Sequence, residues 1–109
     1  MTQNLLDECK KAKIDFMTTP YNFEAIKLFR DAVPGFKIGS GDITFKSILV
    51  EIAKQGKPVF LATGASSLEE VKRSMDILLS LNPQICLMQC NTNYTGDIIN
   101  FNYVNLNVL

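Results

Sequence analysis

Apolar residues along this chain change their spacing in a regular way, and each change marks a new element. Residues 2–12 follow a helical period. IDFMTT (14–19) is rich in apolar and β-forming side chains and predicts a strand. Asn22 is placed to cap a helix over FEAIKLFRDA, where Ala25, Ile26, Phe29 and Arg30 fall at helical spacing and Pro34 ends the run. FKIGS (36–40) predicts a second strand. TFKSILVEIAKQG predicts a helix with Ile48, Leu49, Ile52 and Ala53 on one face and Gly56 as its stop. The unbroken apolar run of PVFLATG (58–64) suits a strand buried on both faces. In SSLEEVKRSMDILLSLN, Ser66 and Glu69 spell a capping box ahead of a stripe of Leu68, Val71, Met75, Leu78 and Leu79. ICLMQC (85–90) predicts the fourth strand, and the Asn-rich tail GDIINFNYVNLNVL is compatible with the start of another helix.

Strand starts near residues 14, 35, 58 and 85, with a helix in each interval, predict an α/β fold of parallel strands joined by right-handed crossovers. Two architectures share this rhythm, a small doubly wound sheet and a piece of a (β/α)8 barrel. Neither G-x-G-x-x-G nor G-x-x-x-x-G-K follows any strand, which removes the main support for a nucleotide-binding sheet. A complete TIM barrel takes about 250 residues, so four strands in 109 residues amount to half of one.

Composition narrows the class further. A hydrophobic fraction of 47% with 20% charged residues is that of a single globular domain. Eleven basic and eleven acidic side chains cancel, leaving no electrostatic footprint for nucleic acid or an anionic membrane. The first residues lack the basic start and apolar core of a signal peptide, and no apolar run approaches the roughly 20 residues of a membrane span. We therefore expect a soluble, cytoplasmic protein. Cys86 and Cys90, four apart in a strand, share a face about 13 Å apart, beyond disulfide reach. Both are expected as small core residues rather than ligands, and the three cysteines, Cys9 included, make no disulfide framework. Histidine is absent, so the commonest metal ligand and general base are both missing.

The polar residues collect at strand ends: Thr18-Thr19-Pro20, Ser40-Gly41-Asp42, Thr63-Gly64-Ala65 and Asn91-Thr92-Asn93-Tyr94. Parallel strands bring these ends to one rim, where ligands bind in α/β proteins. In GFKIGSGDI, Lys37 lies between apolar neighbours within a strand. A cation there either snorkels to a surface or faces a polar cavity that wants positive charge. Asp42 is a candidate cap for the next helix or a rim carboxylate, and Thr63-Gly64 is a candidate anion-binding turn. Lys57 and Glu51 are expected as solvated helix-face charges.

Four segments in register, FMTTPY, VPGFKIGSGDI, GKPVFLATGASSLEEV and LMQCNTNYTG, make the chain resemble the N-acetylneuraminate (sialic acid) synthase family, including its legionaminate and spore-coat polysaccharide relatives. The resemblance implies that residues 1–109 are a partial TIM-barrel domain, about strands three to six, without the barrel's N-terminal and C-terminal strands. It implies an enzyme that condenses phosphoenolpyruvate with an N-acylated amino sugar, giving a nonulosonic acid and phosphate. The lysine and serine of the family's K-I-x-S motif, which hold phosphoenolpyruvate, are Lys37 and Ser40. The threonine of its T-P turn is Thr19, and the acidic residue two past the serine is Asp42, where many members carry Glu. Lys37 and Asp42 are the candidate catalytic residues. In the S-T-G turn the serine is replaced by Ala62, while Thr63 and Gly64 remain. Tyr94 takes the place of the family's acceptor-sugar tyrosine, and Thr92 that of its Asn or Ser.

A divalent metal, Mn or Mg, is implied for the complete enzyme, with no ligands for it identified in this chain. The piece alone is expected to be inactive. With two open sheet edges and a bare inner face, it is also expected to self-associate or form a homo-oligomer. Two rival readings stand beside this one. Lys37 is a possible Schiff-base nucleophile of an aldolase, and the chain is alternatively a non-catalytic α/β binding module.

Overall fold

The computed structural model describes residues 2–90. Helix α1 (Thr2–Ala12) leads into α2 (Phe23–Phe29), strand β1 (Phe36–Ile38), a single 3-10 turn (Ser40–Asp42), α3 (Lys46–Lys54), β2 (Val59–Ala62), α4 (Leu68–Leu79) and β3 (Ile85–Met88). The strands form one parallel sheet in the order β1-β2-β3. Phe36 lies opposite Val59 and Ile38 opposite Leu61, while Val59 lies opposite Ile85 and Ala62 opposite Met88. Neighbours in sequence are thus neighbours in space. A doubly wound sheet reverses its strand order at a switch point and carries helices on both faces. Here the order runs one way, and among the described residues the core cluster forms on one face.

That core joins Ile26 of α2, Ile48, Leu49, Ile52 and Ala53 of α3, and Val71 and Leu78 of α4 to Phe36, Ile38, Val59 and Leu61 of the sheet. Strand side chains alternate between faces, so all three helices cover the Phe36–Leu61 side. A parallel sheet wound in one direction with its helices on one side is an arc of a (β/α)8 barrel.

The four predicted α3 positions are all buried, and Gly56 stops that helix with a φ of +71° that favours glycine. Elsewhere the expected pattern shifts. Residues 14–19 are not a strand. This segment runs beside β1 with a single backbone bond among the described residues, from Lys37 N–H to the Thr18 carbonyl at 3.5 Å, and one long bond does not make a ladder. It is anchored instead by Phe16, whose ring sits 5.4 Å from that of Phe29. The α4 stripe also rotates: Val71, Ser74 and Leu78 are buried, whereas Leu79 is exposed.

The α4 capping box lies one residue later than expected. Ser67 Oγ accepts the Glu70 N–H at 3.2 Å, and Glu70 Oε1 accepts the Ser67 N–H at 3.1 Å. Ser66 is turned away, its hydroxyl donating to the Gly64 carbonyl at 3.3 Å, because Ala65 adopts a left-handed φ of +57° that delays the helix.

Lys57 is not a solvated helix charge. Its Nζ donates to the Arg30 carbonyl and, at 2.6 Å, to the Val33 carbonyl, satisfying groups left open where α2 ends. Glu51 is half-buried and accepts from Gln55 Nε2 at 3.3 Å. Cys86 is exposed and Cys90 partly exposed, so neither is the fully buried core residue expected; Cys9 is partly exposed as well. No helix among the described residues is long and apolar enough to cross a membrane.

Candidate active-site rim

The lysine in the middle of β1 takes its position from its neighbours. Phe36 and Ile38 are buried toward the helices, so alternation turns Lys37 to the opposite, helix-free face. There it stands in register with Phe60 and Cys86 of the next two strands. Lys37 is half-buried and makes no ion pair or side-chain hydrogen bond among the described residues. With no partner among the described residues, this ammonium is available to pair with an anion brought from outside.

Beyond β1, the chain folds into the 3-10 turn, which gathers polar groups. The Asp42 N–H bonds the Gly39 carbonyl at 3.0 Å and the Phe45 N–H bonds the Asp42 carbonyl at 2.9 Å. Thr19 and Asp42 converge on Gly39: a Cβ added there would stand 3.6 Å from Thr19 Cγ2 and 3.7 Å from Asp42 Oδ2. The capping alternative for Asp42 does not hold, because the N-cap position of α3 is Phe45 and no side chain caps that helix. The carboxylate remains half-buried at the rim, with no hydrogen bond or ion pair among the described residues.

Hydrogen bonds tie this turn to the ends of the other strands. Ser40 Oγ accepts the Gly64 N–H at 2.9 Å, linking the β1 and β2 ends. Thr63 Oγ1 donates to the Met88 carbonyl at 2.8 Å, and the Thr63 N–H reaches the same oxygen at 3.1 Å, linking β2 to β3. Ala62, where a serine is expected from the resemblance, is almost fully buried opposite Met88. The candidate anion-binding turn at Thr63-Gly64 is therefore engaged within the protein: its amide serves Ser40 and its hydroxyl serves Met88. Nothing in the local pattern announced these cross-links, since both partners are distant in sequence. Only the Thr-Gly pair marks the turn itself.

Thr92 and Tyr94, the two acceptor-sugar candidates, lie outside the described residues. Among the described residues no three His, Cys, Asp or Glu side chains gather closely enough to hold a metal ion. These residues do not fit the divalent ion implied by the resemblance.

A one-way parallel arc with helices outside it, carrying a cation and polar turns at its strand ends, is the arrangement of part of a TIM-barrel type of domain. Comparison with known proteins makes the assignment specific. The model of the NeuB family matches residues 1–109, and the chain belongs to that family. It is 33% identical over 111 residues to the N,N'-diacetyllegionaminic acid synthase of Campylobacter jejuni, covering 98% of this chain and 32% of that protein. The human N-acetylneuraminate-9-phosphate synthase is 39% identical over 62 residues, 57% of this chain and 17% of that one. The crystal structure of N-acetylneuraminic acid synthetase from Leptospira borgpetersenii superposes with a TM-score of 0.88 over 99% of this chain and 39% of that chain, at 24% identity, which establishes the shared fold. The chain thus spans less than a third of the length of the Campylobacter relative.

Proposed function

We infer that this chain forms part of the active site of a nonulosonic acid synthase, which joins phosphoenolpyruvate to an N-acylated amino sugar and releases phosphate. The observation that carries this reading is Lys37 on the helix-free face, with no partner among the described residues, in a chain of the NeuB family. Phosphoenolpyruvate bears a carboxylate and a phosphate. An inward ammonium and, three residues further on, a serine hydroxyl offer the kinds of donor that such a ligand needs. In the reaction, C3 of the enol attacks the sugar aldehyde and the new C–C bond forms. Water adds at C2, and cleavage of the C2–O bond expels phosphate.

In this scheme Lys37 and Ser40 hold the three-carbon anion at the strand ends. Thr19 closes one side of the pocket. Asp42, a carboxylate not committed to another group among the described residues, is the acid–base candidate for the water that adds. Thr63 holds the β2 end through Met88, and Thr92 and Tyr94 are proposed to contact the sugar.

Replacing Lys37 by Met in the whole polypeptide tests the reading by removing the charge while keeping the length. Calorimetric affinity for phosphoenolpyruvate is expected to fall about tenfold or more, the loss typical of a hydrogen bond to a charged group. Unchanged affinity in the folded variant would overturn the assignment.

A further inference from the structure

A serine or threonine hydroxyl carries one proton and two acceptor lone pairs, and the rim bonds show how each is used. At Ser40 the Gly64 N–H occupies a lone pair at 2.9 Å, while no acceptor for the Ser40 proton exists among the described residues. At Thr63 the opposite holds. Its proton goes to the Met88 carbonyl at 2.8 Å, so it has only lone pairs left to offer. The Gly64 N–H is spent on Ser40, and the Ser67 and Glu70 amides at the start of α4 are spent in the capping box. Of these groups, the Ser40 hydroxyl alone keeps a proton for an anion.

We propose that Ser40 is a positioning residue as well as a ligand donor: by accepting the Gly64 N–H it directs its own proton into the site, and an anion taking that proton fastens the β2–α4 turn. The two bonds act in sequence through one oxygen. An anion pulling on the hydroxyl proton makes that oxygen a stronger acceptor for the amide. The turn receiving this effect includes Ala65, whose left-handed φ of +57° is held against its own preference. Occupancy at the β1 end is thereby transmitted to the segment that starts α4. This inference rests on the anion-binding reading above.

Hydrogen exchange at the Gly64 amide of the whole polypeptide, read with and without phosphoenolpyruvate, tests it. With ligand at ten times Kd, exchange is expected to slow about tenfold, because opening of the turn and binding exclude one another. Ser40→Ala is expected to leave the amide fast in both states and to weaken binding about tenfold or more. Ser40→Thr, which keeps the hydroxyl, is expected to restore both. Binding by calorimetry with an unresponsive Gly64 amide overturns this inference alone, as does ligand-dependent protection that survives in Ser40→Ala. A Thr variant as weak as the Ala variant also counts against it. If the unmodified protein does not bind phosphoenolpyruvate, the functional reading fails and this inference with it.

Discussion

Single positions in this chain are decided by what their neighbours leave open. Lys37 is legible as an anomaly in the sequence because Phe36 and Ile38 demand burial, and alternation leaves the cation one direction only. The glycine just before them is constrained by proximity. A Cβ at Gly35 would stand 2.7 Å from the Pro58 carbonyl oxygen and 3.3 Å from Phe60 Cε2, where β1 and β2 come together through the Phe36 N–H bond to Pro58. The nearer of these neighbours is backbone, which cannot give way cheaply. Gly35→Ala is expected to destabilise the protein by about 1–3 kcal/mol. Gly41→Ala, whose Cβ would meet nothing within 4 Å, is expected to change stability by no more than about 1 kcal/mol. Urea-unfolding midpoints measure both, and equal losses at the two sites would contradict the close-approach account.

Elements were legible in proportion to their length and to how fully they are buried. Helix α3 appears with its predicted inner face because four apolar side chains meet the sheet. The 14–19 segment reads as a strand by composition but lacks the continuous partner that makes one, a property of the neighbouring chain that composition does not carry. At α4, two Ser-x-x-Glu pairs overlap in sequence, and the choice between them is made by the Gly64-Ala65 turn. The selected pair has a pH signature. The Ser67 N–H, with the Ser67 hydroxyl second and the Arg73 charge a smaller aid, holds the Glu70 carboxyl below its ordinary 4.5 despite some opposing desolvation. A lowered carboxyl pKa stabilises the fold above the unfolded-state value, and that contribution is lost as pH falls through the folded-state value. The stability gap between the unmodified protein and Glu70→Ala is therefore expected to be widest above pH 4.5 and to close at lower pH. Urea midpoints taken near neutrality and in acid read it. A gap that widens in acid would rule out the Ser67–Glu70 box as its source.

At the scale of the whole molecule, strand order and crossover rhythm were readable in advance, whereas the rim cross-links were not. The rhythm is written in the sequence of each repeat. The Ser40–Gly64 and Thr63–Met88 bonds join residues brought close only by the finished sheet. The same sheet is covered on one side, and its other side presents Lys37, Phe60 and Cys86 in a row. The isolated 109-residue chain is accordingly expected to sediment as a concentration-dependent mixture of species and to form no sugar acid from phosphoenolpyruvate and an N-acylated amino sugar. A monomer with a sharp, concentration-independent melt, or measurable product, would refute one or the other expectation. Both rim bonds share a further property: each pairs a side chain with main chain. Any amino acid but proline can supply the amide that Gly64 provides, and every residue supplies the carbonyl that Met88 provides. Evolution could therefore exchange the side chain at 88 without breaking its link, and a survey of relatives for paired substitutions would be blind to the struts that hold this rim in shape.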